Sequence, residues 1–251
     1  MKKIVLMYHD IIPDQDYSSG MHVPASDTYK LNNMKFEEHV AAIRDYLDKN
    51  NLPSESVEFT FDDGGYTFLT EAAPILEKYG FKGVFFVTTS FIDQDGFLTS
   101  AQVKELSTRG HVVGSHSHWH NPEMMKKSAE ENRQEWQMSV EKLKSIIDEP
   151  ILTASLPRGD GPCKVKEMIY TTGVKDLYTS IPTTTIKELG DGKREIGRYV
   201  IHRDLSTKDV MKIVTSGGLR KKMYLKWKVI SIVKGILGDN YMKFKMLIVK
   251  Q

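Results

Sequence analysis

The sequence predicts a parallel α/β sheet with its helices packed outside. Three observations carry that reading. Strand-like and helix-like apolar patterns alternate through most of the chain. The 251 residues, 40% hydrophobic and 27% charged, suffice for one globular unit with a full core. Internal repeats, low-complexity tracts and apolar runs long enough to span a bilayer are absent from the sequence.

The elements follow in chain order. A strand is expected over residues 3–9, where Lys3-Ile4-Val5-Leu6 leads into Met7-Tyr8-His9-Asp10. Pro13, Gly20 and Pro24 then mark a long loop, of the kind that builds active sites. A helix is expected over 34–49 and a strand over 56–62, where Phe59 and Phe61 alternate with Glu58 and Thr60. Next come a helix over 67–79, a strand over 83–88 through Phe85-Phe86-Val87, a helix over 99–108 and a strand over 111–115. The series ends with a helix over 123–147, a strand over 151–156, a helix over 164–172 with Cys163 as a small residue at its start, and short strands near 177 and 199.

Two segments carry chemistry. The strand Val57-Glu58-Phe59-Thr60-Phe61 ends in Asp62-Asp63, followed by Gly64-Gly65, which permit a sharp turn and close backbone approach. Catalytic side chains of parallel α/β folds sit at such carboxyl ends. The second segment is Gly114-Ser115-His116-Ser117-His118-Trp119-His120, with three of the chain's eight histidines. Either segment alone is commonplace: an Asp-Gly turn, or a hydrogen-bonded histidine. Together they read as a divalent-metal site, one carboxylate and two imidazoles holding the ion and a second carboxylate free to act on water. A spacing of four lets His116 and His120 face the same way if the segment turns helically, and His118 is a rival ligand.

Thr60-Phe61-Asp62-Asp63 with His116-Ser117-x-x-His120 resembles the polysaccharide deacetylases, carbohydrate esterase family 4, over about residues 4 to 205. Glu71-Ala72-Ala73-Pro74-Ile75-Leu76 and Phe85-Phe86-Val87 resemble the helix and strand that follow the family's first motif. The resemblance implies a distorted, incomplete (β/α) barrel of about seven parallel strands. It also implies that Asp62 is the catalytic base and that Asp63, His116 and His120 hold the metal. Zinc suits these donors, and iron, cobalt or nickel would also fit. The implied reaction removes an N-acetyl or N-formyl group from an amino sugar in a glycan or a glycan precursor. The family's third motif, often Arg-x-Pro-aromatic-Gly, is here Ser155-Leu156-Pro157-Arg158-Gly159, so the Arg that orients the base is missing from its usual place. Pro157, Arg158 and Tyr8 are the expected substrate contacts, although Tyr8 also suits a core place and Arg158 a solvated loop.

A departing amine must be protonated, so a general acid is required. His9 is one candidate, because Met7-Tyr8-His9-Asp10 resembles the opening of a subgroup with rearranged strand order in which this His is the acid. His202 in Tyr199-Val200-Ile201-His202 is the other.

Two other function classes share parts of the pattern. A non-haem Fe(II) oxygenase also uses two His and one carboxylate, usually in an all-β barrel. A non-catalytic glycan-binding relative would have a decayed site, against which the intact Asp62, Asp63, His116 and His120 stand.

Charge divides the chain into an expected catalytic unit, 1–218, and a basic amphipathic helical extension, 219–251. The extension carries nine Lys or Arg and one acid, a net of +8, whereas the remainder nets −6. Its many apolar residues suit an anionic membrane surface or packing on the barrel, and no nucleic-acid-reading motif accompanies the charge. Only Ile4–Met7 is apolar before Tyr8, too short for a signal sequence, and the single Cys163 precludes an internal disulfide. The expected place is therefore the cytoplasm, at the inner membrane surface, and the expected partner is an acetylated amino sugar, free or lipid-linked.

Overall fold

A computed structural model describes residues 3–13, 16–24, 26–121 and 123–237. The chain opens with β1 (Ile4–Tyr8), β2 (Ile11–Ile12), β3 (Leu31–Asn32) and α1 (Asn33–Lys49). Then come β4 (Val57–Phe61), α2 (Ala73–Lys78), β5 (Gly83–Val87), α3 (Ser100–Thr108), β6 (Val112–Ser115) and α4 (Ala129–Ile147). The remainder holds β7 (Thr153–Ser155), α5 (Cys163–Tyr170), β8 (Asp176–Thr179), β9 (Lys187–Glu188), β10 (Arg194–Gly197), β11 (Tyr199–Val200), α6 (Thr207–Thr215) and α7 (Gly217–Leu237).

Among the described residues the main sheet runs β11-β1-β4-β5-β6-β7-β8-β10-β9, parallel except for β9 on β10. β10 and β11 are separated by Arg198 alone, yet lie towards opposite ends of that order. The sheet must therefore curl until its ends meet at Arg198. β10 and β11 do not pair there, which makes the barrel incomplete, as the family resemblance implies.

Strand alternation sorts side chains to the two faces. Val5, Val84, Phe86, Tyr178 and Ile196 form a small interior core. One end of it is closed by an ion pair of Lys3 with Glu58 at 2.5 Å and by the Tyr178 hydroxyl, which donates to Glu58 at 3.1 Å. Ile4, Leu6 and Tyr8 point the other way, into the large core between sheet and helices. Tyr8 is thus a core residue rather than the expected substrate contact. Its ring meets Phe36 edge-on at 5.0 Å and stacks on Phe61 at 5.7 Å, and its hydroxyl lies 3.4 Å from His39 Nδ1.

Two predicted helices change at their starts. The one expected from 67 begins as a π-turn over Phe68–Ala72, because Pro74, at the start of α2, offers no amide hydrogen to a preceding carbonyl. The one expected from 123 begins at Ala129, where Ser128 and Glu131 cap each other's backbone amides, after a short 3-10 turn at Met124–Lys126. The long loop after β1 contains the β2–β3 pair, and α6 carries a capping box, Ser206 with Asp209. Residues 238–251 of the expected extension lie outside the described residues.

Candidate active site

The site lies at the carboxyl ends of the strands, in a cleft of about 630 Å³. The alternation that turns Glu58 and Thr60 inward also turns Asp62 inward, and it is only 3% exposed. A buried carboxylate needs a counter-charge. Arg198, itself fully buried at the meeting point of the sheet, donates Nη1 to Asp62 Oδ1 at 2.6 Å and Nη2 to Oδ2 at 2.8 Å. Burial alone would raise the Asp62 pKa, but Arg198 and the field of His116 reverse it, so the carboxyl titrates below its ordinary range. The Arg198 guanidinium is held by the Thr179 carbonyl at 3.2 Å and lies over the Phe86 and Tyr178 rings.

Strand alternation would turn Asp63 away from the cleft that Asp62 faces; it joins that cleft by adopting φ 87°, a left-handed backbone that costs a non-glycine residue about 1–3 kcal/mol. Gly64 continues the turn at φ 99°. A Cβ on Gly65 would run into the Asp10 carboxylate, which is itself anchored by Ser19 Oγ at 2.7 Å and Thr67 Oγ1 at 3.2 Å. The turn presents Asp63 Oδ1 3.4 Å from His116 Nε2 and 3.5 Å from His120 Nε2. Burial would raise the Asp63 pKa too, but the surrounding imidazoles of His116, His9 and His120 reverse that and take it well below the carboxylate range.

The histidine segment is a loop rather than a helical turn. Ser117 and His120 have φ 65° and 50°, and the His120 amide donates to Ser117 Oγ at 3.0 Å. Buried Glu135 of α4 accepts the Trp119 amide at 3.2 Å and pairs with Lys127 at 3.0 Å, fixing the loop to the helix. His116 Nδ1 lies 3.1 Å from the Ser155 carbonyl and 2.5 Å from its hydroxyl. A carbonyl only accepts, so Nδ1 carries a proton, and Nε2, which faces Asp63 and His120, is the atom left to offer a lone pair to an ion. His120 titrates at about 4, lowered by burial and then by His116. One donor atom each from Asp63, His116 and His120 lies within 4.8 Å of the others, and the chemistry of this set, one carboxylate and two neutral imidazoles, fits a divalent ion.

His118 is not part of that cluster: its Nδ1 bonds Thr89 Oγ1 at 2.7 Å. His9 does line the cleft, since residues 5, 7 and 9 share the inward face. Tyr29 from the long loop packs at a tilt on His9 at 4.4 Å and on His202 at 5.0 Å, so the two candidate acids flank one ring. Only His9 of the pair reaches the cleft lining. Arg158, exposed with φ 64°, also lines the cleft, whereas Pro157, expected as a substrate contact, is buried and does not line it.

Three contributors were not read from the sequence. Arg198 supplies from β10–β11 the guanidinium that the third motif lacks, so the expected loss of an orienting Arg is corrected by the curl of the sheet. Its signal was a charge inside the apolar run Ile196-Gly197-Arg198-Tyr199-Val200. Ser155 takes the vacated place and bonds both His116 and Asp62. Tyr29 had no local signal, because it reaches His9 only through the fold of its loop.

A model of the polysaccharide deacetylase family matches residues 49–176, half of the chain. The Bacillus subtilis protein YxkH is 27% identical over 213 residues, covering 79% of this chain and 69% of that protein. The structure of the Streptococcus pyogenes deacetylase PplD in complex with acetate superposes with a TM-score of 0.66 at 21% identity, over 85% of this chain and 98% of that one. IcaB from Ammonifex degensii gives 0.67 at 20% identity, over 86% and 97%. At such identities the two structures share a fold with this chain, and that fold is α/β, unlike the all-β barrel usual for the oxygenase alternative. The family match, which contains both the strand ending in Asp62-Asp63 and the histidine loop, shows that this chain belongs to the polysaccharide deacetylases, hydrolases of acetylated carbohydrate.

Proposed function

We propose that this chain is a metal-dependent deacetylase that removes an N-acetyl or N-formyl group from an amino sugar during assembly of a cell-surface glycan. The observation that carries this reading is the division of labour between adjacent carboxylates. Asp63 meets two imidazoles, while Asp62 is tied to Arg198 and left beside the cleft. Asp63, His116 and His120 would hold the ion, zinc before iron, cobalt or nickel for these donors. When bound, such an ion polarises the acyl carbonyl and brings the pKa of a water towards about 7.

The chain's own residues supply the proton movements. Arg198 keeps Asp62 ionised and aims it, so that an oxygen of Asp62 accepts the proton of the attacking water. The depressed pKa sacrifices some proton-transfer driving force for a base that is always unprotonated at neutral pH. The leaving nitrogen cannot depart as an anion, and His9, across the cleft from the carboxylates, donates the proton it needs. Arg158 at the rim suits a sugar that carries a negative group.

The test is release of acetate or formate from nucleotide-linked and lipid-linked acylated amino sugars. Release that stops on chelation and returns with a divalent ion supports the reading. Release indifferent to chelation overturns the metal requirement. A bound sugar with no product over long incubation would favour the glycan-binding alternative.

A further inference from the structure

We propose that the outer face of α7 docks on an anionic phospholipid surface, with the catalytic cleft on the inner side of the same helix. The helix has two unlike faces. On the inner face Leu219 and Met223 pack against the core, Trp227 stacks with Tyr224 beside a cavity of about 660 Å³, and Lys234 reaches the lining of the catalytic cleft. On the outer face Leu225, Val229 and Ile232 are 51%, 60% and 54% exposed. Spaced at i, i+4 and i+7, they form one stripe. At 3.6 residues per turn, Lys221 and Lys228 border the stripe on one side and Lys222 and Lys226 on the other, all four exposed. Gly217–Leu237 contains no Asp or Glu.

The charge pattern selects the occupant. A second copy of this chain would bring four more lysines against these four, so self-association along the stripe is opposed by repulsion. A bilayer with anionic lipid answers both features: the apolar stripe enters the headgroup boundary, and the lysine stems lie along it with their ammonium groups among the phosphates. No helix among the described residues is long and apolar enough to cross a membrane, so the contact is superficial. The cleft-lining Lys234 lies across the helix from Ile232, so a helix diameter of about 10–12 Å separates the stripe from the cleft. A docked α7 would therefore hold the cleft about one helix diameter from the lipid surface, within reach of an amino sugar carried on a lipid phosphate. That substrate form rests on the deacetylase reading; the docking does not.

Sedimentation of the full chain with vesicles tests the docking whatever the active site does. The chain should pellet with phosphatidylcholine–phosphatidylglycerol vesicles at low ionic strength, leave them at high salt, and ignore vesicles of phosphatidylcholine alone. Leu225→Ser, Val229→Ser and Ile232→Ser combined should abolish pelleting while an activated soluble ester is still hydrolysed at the parent rate. Lys222→Gln and Lys226→Gln should each lower vesicle partition about fivefold. Failure of the parent to pellet, pelleting indifferent to the apolar substitutions, or a stripe-dependent dimer formed without lipid would each overturn the proposal.

Discussion

The two walls of the cleft are built by different means. On the carboxylate wall, directional bonds fix each group: Arg198 grips both oxygens of Asp62, Ser155 bridges Asp62 and His116, and Glu135 pins the histidine loop. On the opposite wall, His9, Tyr29 and His202 are held by ring contacts, and Nδ1 of both histidines has no hydrogen-bond partner among the described residues. Groups that must keep one charge and one direction are bonded on every side. A group that must give up a proton and regain it is positioned by shape.

The largest effect should come from the bonded wall. Arg198→Met leaves Asp62 as a buried, unpaired carboxylate and should cost about 3–5 kcal/mol in urea or thermal unfolding, with turnover lost as well. An unchanged unfolding midpoint would mean that the pair contributes geometry but no stability. Asp62→Asn should slow turnover by about 10² or more with the metal content retained. It should destabilise less than Arg198→Met, because Arg198 keeps the Thr179 carbonyl and two aromatic rings. Full activity in Asp62→Asn would remove it as the base.

The ring-packed wall should respond to leaving group. His9→Ala should suppress amide hydrolysis by about 10², yet change hydrolysis of an activated aryl ester by less than about tenfold, since that leaving group departs without a proton. His202→Ala should affect both little, because His202 lies behind Tyr29. The reverse pattern would transfer the acid role to His202.

A separate expected effect, spread over several pH units, is acid sensitivity behind this wall. His39, buried against Tyr8, has its pKa lowered from 6.5 to about 4, mainly by burial. The unfolded chain therefore takes up this proton first. Stability is full above pH 6.5 and falls as pH drops towards 4, by at most about 1.4 kcal/mol per pH unit. His39→Gln should flatten that slope in thermal unfolding followed across the window; an unaltered slope would place the acid sensitivity elsewhere.

Much of the bonded wall was legible in the sequence because its parts lie in short motifs. Asp62 and Asp63 end a strand whose alternation is plain, and three histidines crowd one loop. His120 could not be separated from His118 by spacing, since the choice depends on left-handed backbone at Ser117 and His120. Tyr8 could have been placed correctly: on one strand it must face away from His9.

The sequence by itself determined the alternating α/β order, the aspartate and histidine motifs and the basic character of the C-terminal segment, because each rests on local periodicity or composition. Tertiary structure alone decided that Arg198 answers Asp62, that Tyr29 stands between His9 and His202, and which face of α7 is left open. These are contacts between residues far apart in the chain. They exist because the parallel sheet curls until its two ends meet, a consequence of packing across the whole barrel that no short window of sequence encodes.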